Sequence, residues 1–138
     1  MKKYELIDHT ADIGVKVRGK SVGELFENAA YAMFDLIADL DRVEKREVLE
    51  VEIEGEGMDE LLADWLRELL YKFNGERHLL KDFKIEEIDQ KSLKARVRGE
   101  KLDLSRHSLK MEIKAVTYYG LEIKRTSEGW QAQVIFDV

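Results

Sequence analysis

Two periodicities alternate along the chain. Ile13, Val15 and Val17 alternate with Gly14, Lys16 and Arg18, the two-residue repeat of a strand with one buried face. Strands are expected over 4–8 and 12–18, with the polar run Asp8-His9-Thr10-Ala11-Asp12 as a turn or strand crossing between them. Ser21 and Glu24 then form an S-x-x-E capping box, in which each side chain satisfies an unpaired backbone N–H at a helix start. Val22, Leu25, Phe26, Ala29, Ala30, Met33, Phe34 and Ile37 follow at three- and four-residue steps, drawing one apolar stripe that fades at Asp39-Leu40-Asp41.

Leu49, Val51 and Ile53 alternate with Glu50, Glu52 and Glu54, which predicts a strand ended by Gly55 and Gly57. Asp59 and Glu60 suit the first turn of a second helix, whose stripe is Leu61, Leu62, Trp65, Leu66, Leu69, Leu70 and Phe73. Asn74-Gly75 is its expected stop, since both residues tolerate the left-handed conformation that ends helices. The remainder reads as strands: Phe83 and Ile85; Leu93, Ala95 and Val97; Leu109, Met111, Ile113 and Ala115; then, past Gly120, Leu121 and Ile123. A turn at Ser127-Glu128-Gly129 leads to Trp130, Ala132, Val134 and Phe136, all facing the core. The pattern predicts an α+β fold, a two-layer sandwich with two main helices packed on a mostly antiparallel sheet.

Nothing divides the 138 residues: there is no Pro/Ser-rich linker, repeat or low-complexity block, so 1–138 is expected to be one domain. The absence of cysteine excludes disulfides, thiolate metal sites and a cysteine nucleophile. Met1-Lys2-Lys3-Tyr4-Glu5 leads straight into alternating residues, and no apolar stretch approaches the roughly 18 residues of a membrane span. A cytoplasmic protein, neither exported nor inserted in a membrane, is the expectation. The formal charge of -6 and pI near 5.2 oppose direct nucleic-acid binding and favour a protein partner or a cation. No P-loop, dinucleotide fingerprint or zinc spacing occurs, so nucleotide chemistry is not expected to reside here.

Candidate chemistry gathers at the two ends of the sequence. Asp8, His9 and Asp12 lie within five residues. They could ligate a metal or move a proton, and they could equally hold a strand junction through Asx and Ser/Thr turns. At the other end a core strand runs into Phe136-Asp137-Val138. With Phe136 inward, Asp137 points to the opposite face, and the α-carboxylate of Val138 lies beside it. Two such charges repel, so they bind a proton or a cation, unless they are a solvated chain end. Hard oxygen donors suit Ca²⁺ or Mg²⁺ better than zinc, and calcium is favoured if several carboxylates converge. Asp39 is a further candidate ligand, and Asp41 a weaker one, although an acid at a helix C-terminus opposes the dipole and is often only solvated. His107 is expected to order a loop or sit at an interface, and Lys114 to occupy a solvated strand face. Ser105 and Ser108 lack a nucleophile elbow and carry no triad.

Four segments resemble the archease family: Asp8-His9-Thr10-Ala11-Asp12-Ile13-Gly14; Leu61-Leu62-Ala63-Asp64-Trp65-Leu66 with Leu69-Leu70-Tyr71-Lys72-Phe73; Lys114-Ala115-Val116-Thr117-Tyr118; and Phe136-Asp137-Val138. The resemblance spans essentially the whole chain. It implies a non-enzymatic activator of the tRNA-splicing RNA ligase, which joins 2′,3′-cyclic-phosphate and 5′-hydroxyl ends. The activator would promote guanylylation and multiple turnover of the ligase and alter its nucleotide preference. It also implies modulation of a tRNA cytosine methyltransferase. The implied site is a divalent metal, Ca²⁺ ahead of Mg²⁺ or Mn²⁺, on Asp12, Asp137, Val138 and Asp39. The family often has His after the Thr-Tyr pair, whereas this chain has Tyr119, so a role for that His does not transfer. Two other readings stay open. A general chaperone of RNA-processing proteins would bind partners regardless of EDTA, and a metal-dependent hydrolase would turn over RNA or nucleotides alone.

Overall fold

The alternating stretches form strands that divide between two sheets. The computed structural model describes residues 2–7 and 12–138. Along the chain lie β1 (Tyr4–Ile7), β2 (Ile13–Gly19), α1 (Val22–Ile37), a 3-10 turn (Leu40–Arg42), β3 (Glu47–Glu54), α2 (Met58–Asn74), β4 (His78–Ile88), β5 (Ser92–Lys101), β6 (Ala115–Thr126) and β7 (Gly129–Asp137). One sheet has the order β1-β2-β7-β6 and the other β3-β5-β4; the pairings within both are antiparallel. The α+β class expected from the pattern holds, with two sheets in place of one.

Each helix packs against both sheets. α1 meets β2 of the larger sheet and β4 of the smaller, while α2 meets β6 of the larger and β3 and β4 of the smaller. The width of the apolar face on α1 explains this. Beyond the expected stripe, Asn28, Ala32 and Leu36 are also buried, and small alanines let two layers approach one helix. The helices are tied directly: Trp65, fully buried on α2, donates its indole N–H to the Phe26 carbonyl of α1 at 2.9 Å. Burying side chains of this size contributes roughly 1.5–3 kcal/mol each, so the paired stripes of α1 and α2 dominate the core.

Local chemistry sets the boundaries. Ser21 Oγ accepts from Glu24 N at 3.1 Å, and Glu24 reaches back to Lys20 N, one residue ahead of the expected capping-box partner. At the end of α2 the left-handed residue is neither Asn74 nor Gly75. Gly75 stays right-handed, and Arg77 takes φ 63, its N–H bonded to the Phe73 carbonyl. In the β4–β5 hairpin Asp89 accepts from the amides of Lys91 and Ser92, a turn closed by its own side chain. Gly99 sits where β4 and β5 nearly touch; a Cβ there would overlap the Leu79 carbonyl, beside the register shift between Leu80 and Asp82.

The strand expected through Leu109, Met111 and Ile113 does not form. Leu109 makes an isolated bridge with Ala38, and β6 starts at Ala115. This stretch carries the chain from one sheet to the other, so its polar groups go to helix ends instead of a ladder. Lys110 N donates to the Ile37 carbonyl, Asp39 N to the Ser108 carbonyl, and Asn74 Nδ2 to the Ile113 carbonyl.

Candidate functional site

Strand register brings the two ends of the sequence together. β2 pairs with β7 so that Ile13 faces Phe136, and Asp12 and Asp137 each lie one residue beyond that last pair, on adjacent strands. On the far side Ala115 of β6 faces Asp137, whose carbonyl accepts from Lys114 N at 2.7 Å. Phe136 is fully buried, so alternation turns Asp137 out of the core, and it is exposed. The backbone of Asp137 is thus fixed, while its carboxylate receives neither hydrogen bond nor cation from the described residues. Asp12 is half-buried at the entry to β2. Asp8 and His9, the other acid and base singled out in this stretch, lie outside the described residues.

The remaining expected ligands are placed differently. Asp39 accepts from Asp41 N at 3.1 Å, capping the 3-10 turn, and faces Arg42 at 3.7 Å. Its charge is therefore already used locally. Val138 follows Asp137 and is 36% exposed. Among the described residues, Asp12, Asp137 and Asp39 do not gather into a group of three or more that could hold a metal ion. The pair of strand-end carboxylates is what the fold brings together.

Beside that pair, β6 departs from its ladder. Thr117 faces Ile135, and the next partnered residue, Glu122, faces Gln133. The surplus residues swing out through Gly120 at φ 70, a conformation that glycine adopts without strain. Tyr118 and Tyr119 are left exposed. The Arg67 guanidinium from α2 lies 3.9 Å from the Tyr118 ring centroid and donates to the Val116 carbonyl, and the Tyr118 hydroxyl donates to Asp64 at 3.3 Å. Asp64 and Arg67 lie outside the apolar stripe of α2, and the surplus in β6 is invisible until the strand is paired.

A second carboxylate site escaped sequence reading altogether. Glu100 is 3% exposed. It accepts from Glu44 N at 2.8 Å and from both terminal nitrogens of Arg106, at 2.6 and 3.3 Å, and lies 2.9 Å from His107 Nε2. The Arg106 hydrogen bonds, with the Glu44 amide and His107 behind them, hold its pKa down at about 2 against the cost of burial. His107, buried as well, accepts from Asp103 N through Nδ1 at 2.9 Å. That bond requires an unprotonated Nδ1, so Nε2 carries the proton toward Glu100. His107 therefore orders the loop after β5. The available signal was the break in alternation at Gly99-Glu100 followed by Arg106-His107.

Comparison with known proteins gives this arrangement its context. A model of the Archease protein family matches residues 4–138. The chain belongs to the archease family. Protein archease of Pyrococcus abyssi is 44% identical, with all of both chains covered, and that of Methanosarcina barkeri is 42% identical over 99% of this chain and 97% of its own. The solution structure of Methanobacterium thermoautotrophicum protein 1598 superposes with a TM-score of 0.86 at 40% identity, covering both chains fully. A Thermotoga maritima crystal structure, described as an archease and possible chaperone, shares the fold at TM-score 0.67 and 24% identity, covering 96% of this chain and 94% of its own. The archease-like segments occupy one neighbourhood in space. Asp12-Ile13 lies against Phe136-Asp137, Asp137 against Lys114-Ala115, and Tyr118 against Asp64 and Arg67. Among the described residues no helix is long and apolar enough to cross a membrane.

Proposed function

We propose that this archease-family chain activates a tRNA-splicing RNA ligase without being an enzyme itself, presenting a divalent cation held by Asp12 and Asp137 to the nucleotide site of the ligase. The observation that carries the reading is the strand pairing: Asp12 and Asp137, from opposite ends of the sequence, each lie one residue beyond the Ile13–Phe136 pair, and Asp137 has no partner of its own among the described residues. Like charges so placed favour a cation between them.

The donors fit a hard ion. Asp12 and Asp137 supply side-chain oxygens, and Val138 follows beside them, with its backbone oxygen as a further donor. Asp39 would join by exchanging Arg42 for the cation. Calcium takes six to eight oxygens, and magnesium keeps several waters. A partial protein shell therefore leaves coordination positions for the phosphate oxygens of another molecule. Bound there, the ion would supply charge neutralisation during guanylylation of the ligase. The protein's own residues fix the strand ends and exclude water from the Phe136 side.

Isothermal titration with Ca²⁺, Mg²⁺ and Mn²⁺, followed by a multiple-turnover ligation assay with the cognate ligase, tests both halves. Asp12→Ala and Asp137→Ala should each keep the fold and abolish stimulation. Undiminished stimulation by both variants would overturn the proposal.

Exposed Tyr118 and Tyr119 favour one second reading, a chaperone for RNA-processing proteins that docks through aromatic side chains. That reading expects partner binding unaffected by EDTA and by loss of Asp137.

A further inference from the structure

We propose that a groove at the end of the smaller sheet is a docking site for an acidic segment of a partner protein that carries a leucine-like side chain. The groove lies between the start of β3, the turn that ends α2 and the loop after β5. Its walls include Arg46, Arg77, Lys101 and Arg106, with Leu104 and Leu109. Arg46 and Arg106 are paired with Glu44, Glu100 and Asp103, so the positive charge left to the groove is that of Arg77 and Lys101.

Three observations make this more than a charged surface. First, Arg77 is the described non-glycine residue with positive φ, at 63. Its N–H bonds the Phe73 carbonyl, and its own carbonyl accepts from Leu102 N at 2.8 Å. A left-handed arginine is an uncommon choice, fixed here by the hydrogen bonds that end α2, and its side chain lines the groove. No carboxylate pairs with it among the described residues. Lys101 directs its ammonium to the Glu76 carbonyl, which leaves its charge unneutralised.

Second, the loop that presents the apolar side chains is fixed before anything binds. Asp103 accepts from Ser105 N at 3.0 Å and from Ser105 Oγ at 2.6 Å, and His107 Nδ1 accepts from Asp103 N. Leu104 nonetheless stands 72% exposed on this loop, and Leu109 is 44% exposed. Ordering side chains and loops is a main cost of association, and here the fold has already met it.

Third, His78 Nδ1 is buried without a hydrogen-bond partner among the described residues, 3.5 Å from the Glu47 carboxylate that also lines the groove. An uncompensated buried nitrogen is unfavourable. A shift of Glu47 on binding would satisfy it.

The chemistry selects the occupant. Arg77 and Lys101 call for carboxylates, and Leu104 and Leu109 call for an aliphatic side chain between them. Glu47, Glu100 and Asp103 on the same walls confine the available positive charge to Arg77 and Lys101, which suits a short segment with a few carboxylates better than a continuous polyanion such as RNA.

A heteronuclear NMR titration of the full chain with the capped peptide Glu-Glu-Leu-Leu-Glu-Glu, at low salt, tests this. Saturable shifts should centre on Arg77, Lys101, Leu104 and Leu109. Affinity should fall about tenfold or more on Arg77→Glu combined with Lys101→Glu, as charge reversal at a docking surface does. Leu104→Asp, at a position too exposed to disturb the fold, should weaken binding as well, while Asp137→Asn should bind like the wild type. Absence of shifts, equal binding of the peptide with lysines in place of glutamates, or stronger binding of oligouridylate at the same residues would each overturn the proposal.

Discussion

Glu100 and Asp137 are both carboxylates at strand ends, and the chain treats them in opposite ways. Glu100 is buried and met by Arg106, His107 and the Glu44 amide; Asp137 is exposed on a backbone pinned by its pairing with β6, with its side-chain charge unanswered among the described residues. A carboxylate that its own chain neutralises serves the fold. One that is held rigid and left unneutralised is available to something outside. The difference separates stability from activity and can be tested residue by residue.

The largest effect is expected at Asp137. Asp137→Asn should weaken cation binding by about 100-fold, comparable to the upper range for disturbing a metal site, and remove multiple-turnover stimulation of the ligase. Its unfolding free energy from urea denaturation should change by less than about 0.5 kcal/mol, as for an exposed residue without partners among the described residues. A large loss of stability would erase the contrast with Glu100. Calcium at about 100 times its dissociation constant should raise wild-type stability by about 2.7 kcal/mol. EDTA should reverse the gain, and Asp137→Asn should lack it.

Glu100→Gln should do the converse. It leaves Arg106, and Arg46 whose Nε lies 3.3 Å from Glu100, short of their counter-charge and should cost about 2–3 kcal/mol in chemical denaturation, below a fully buried pair because both arginines are exposed at their outer edges. Stimulation per folded molecule should be retained. Acid titration sharpens the same point. The folded pKa of Glu100, about 2, lies below the ordinary 4.5, so the unfolded chain binds the proton first. The contribution of Glu100 is then fully present above pH 4.5 and is lost as pH falls toward 2. Wild-type stability should fall across that window more steeply than that of Glu100→Gln. The smallest change is expected from Tyr118→Phe, which removes only the exposed bond to Asp64 and should shift stability by less than about 0.5 kcal/mol.

Much of the fold was legible because its core obeys simple periods. The stripes through Phe26, Phe34, Trp65 and Phe73, and the alternation of Val15, Val17, Val134 and Phe136, required only that apolar residues recur every three to four or every two positions. The division into two sheets was not legible. It depends on α1 burying Ala32 and Leu36 outside its main stripe, and a broad apolar face does not say how many layers it meets. The stretch before β6 misled for a related reason: Met111 and Ile113 alternate like a strand while their backbone serves helix ends.

The candidate site was legible in part. Asp12 and Asp137 were marked as acids at the edges of core strands, and the strand register then made them neighbours. Asp39 was marked by its place at the end of the first helix and by the family resemblance, and its side chain caps the following turn and faces Arg42. Glu100, Arg67 and Tyr118 gave no clear signal. Their roles come from contacts between segments far apart in sequence, which no local pattern encodes.

The interruption of β6 also bears on how the molecule behaves in a crowd. β6 lies at the rim of the larger sheet, where unpaired amides and carbonyls could recruit a strand from a neighbouring molecule. The kink at Gly120 breaks that rim into two short pieces out of line with each other, so no long straight template is offered. Deleting residues 118–120 to restore a regular ladder would trade this protection for an open invitation to self-association.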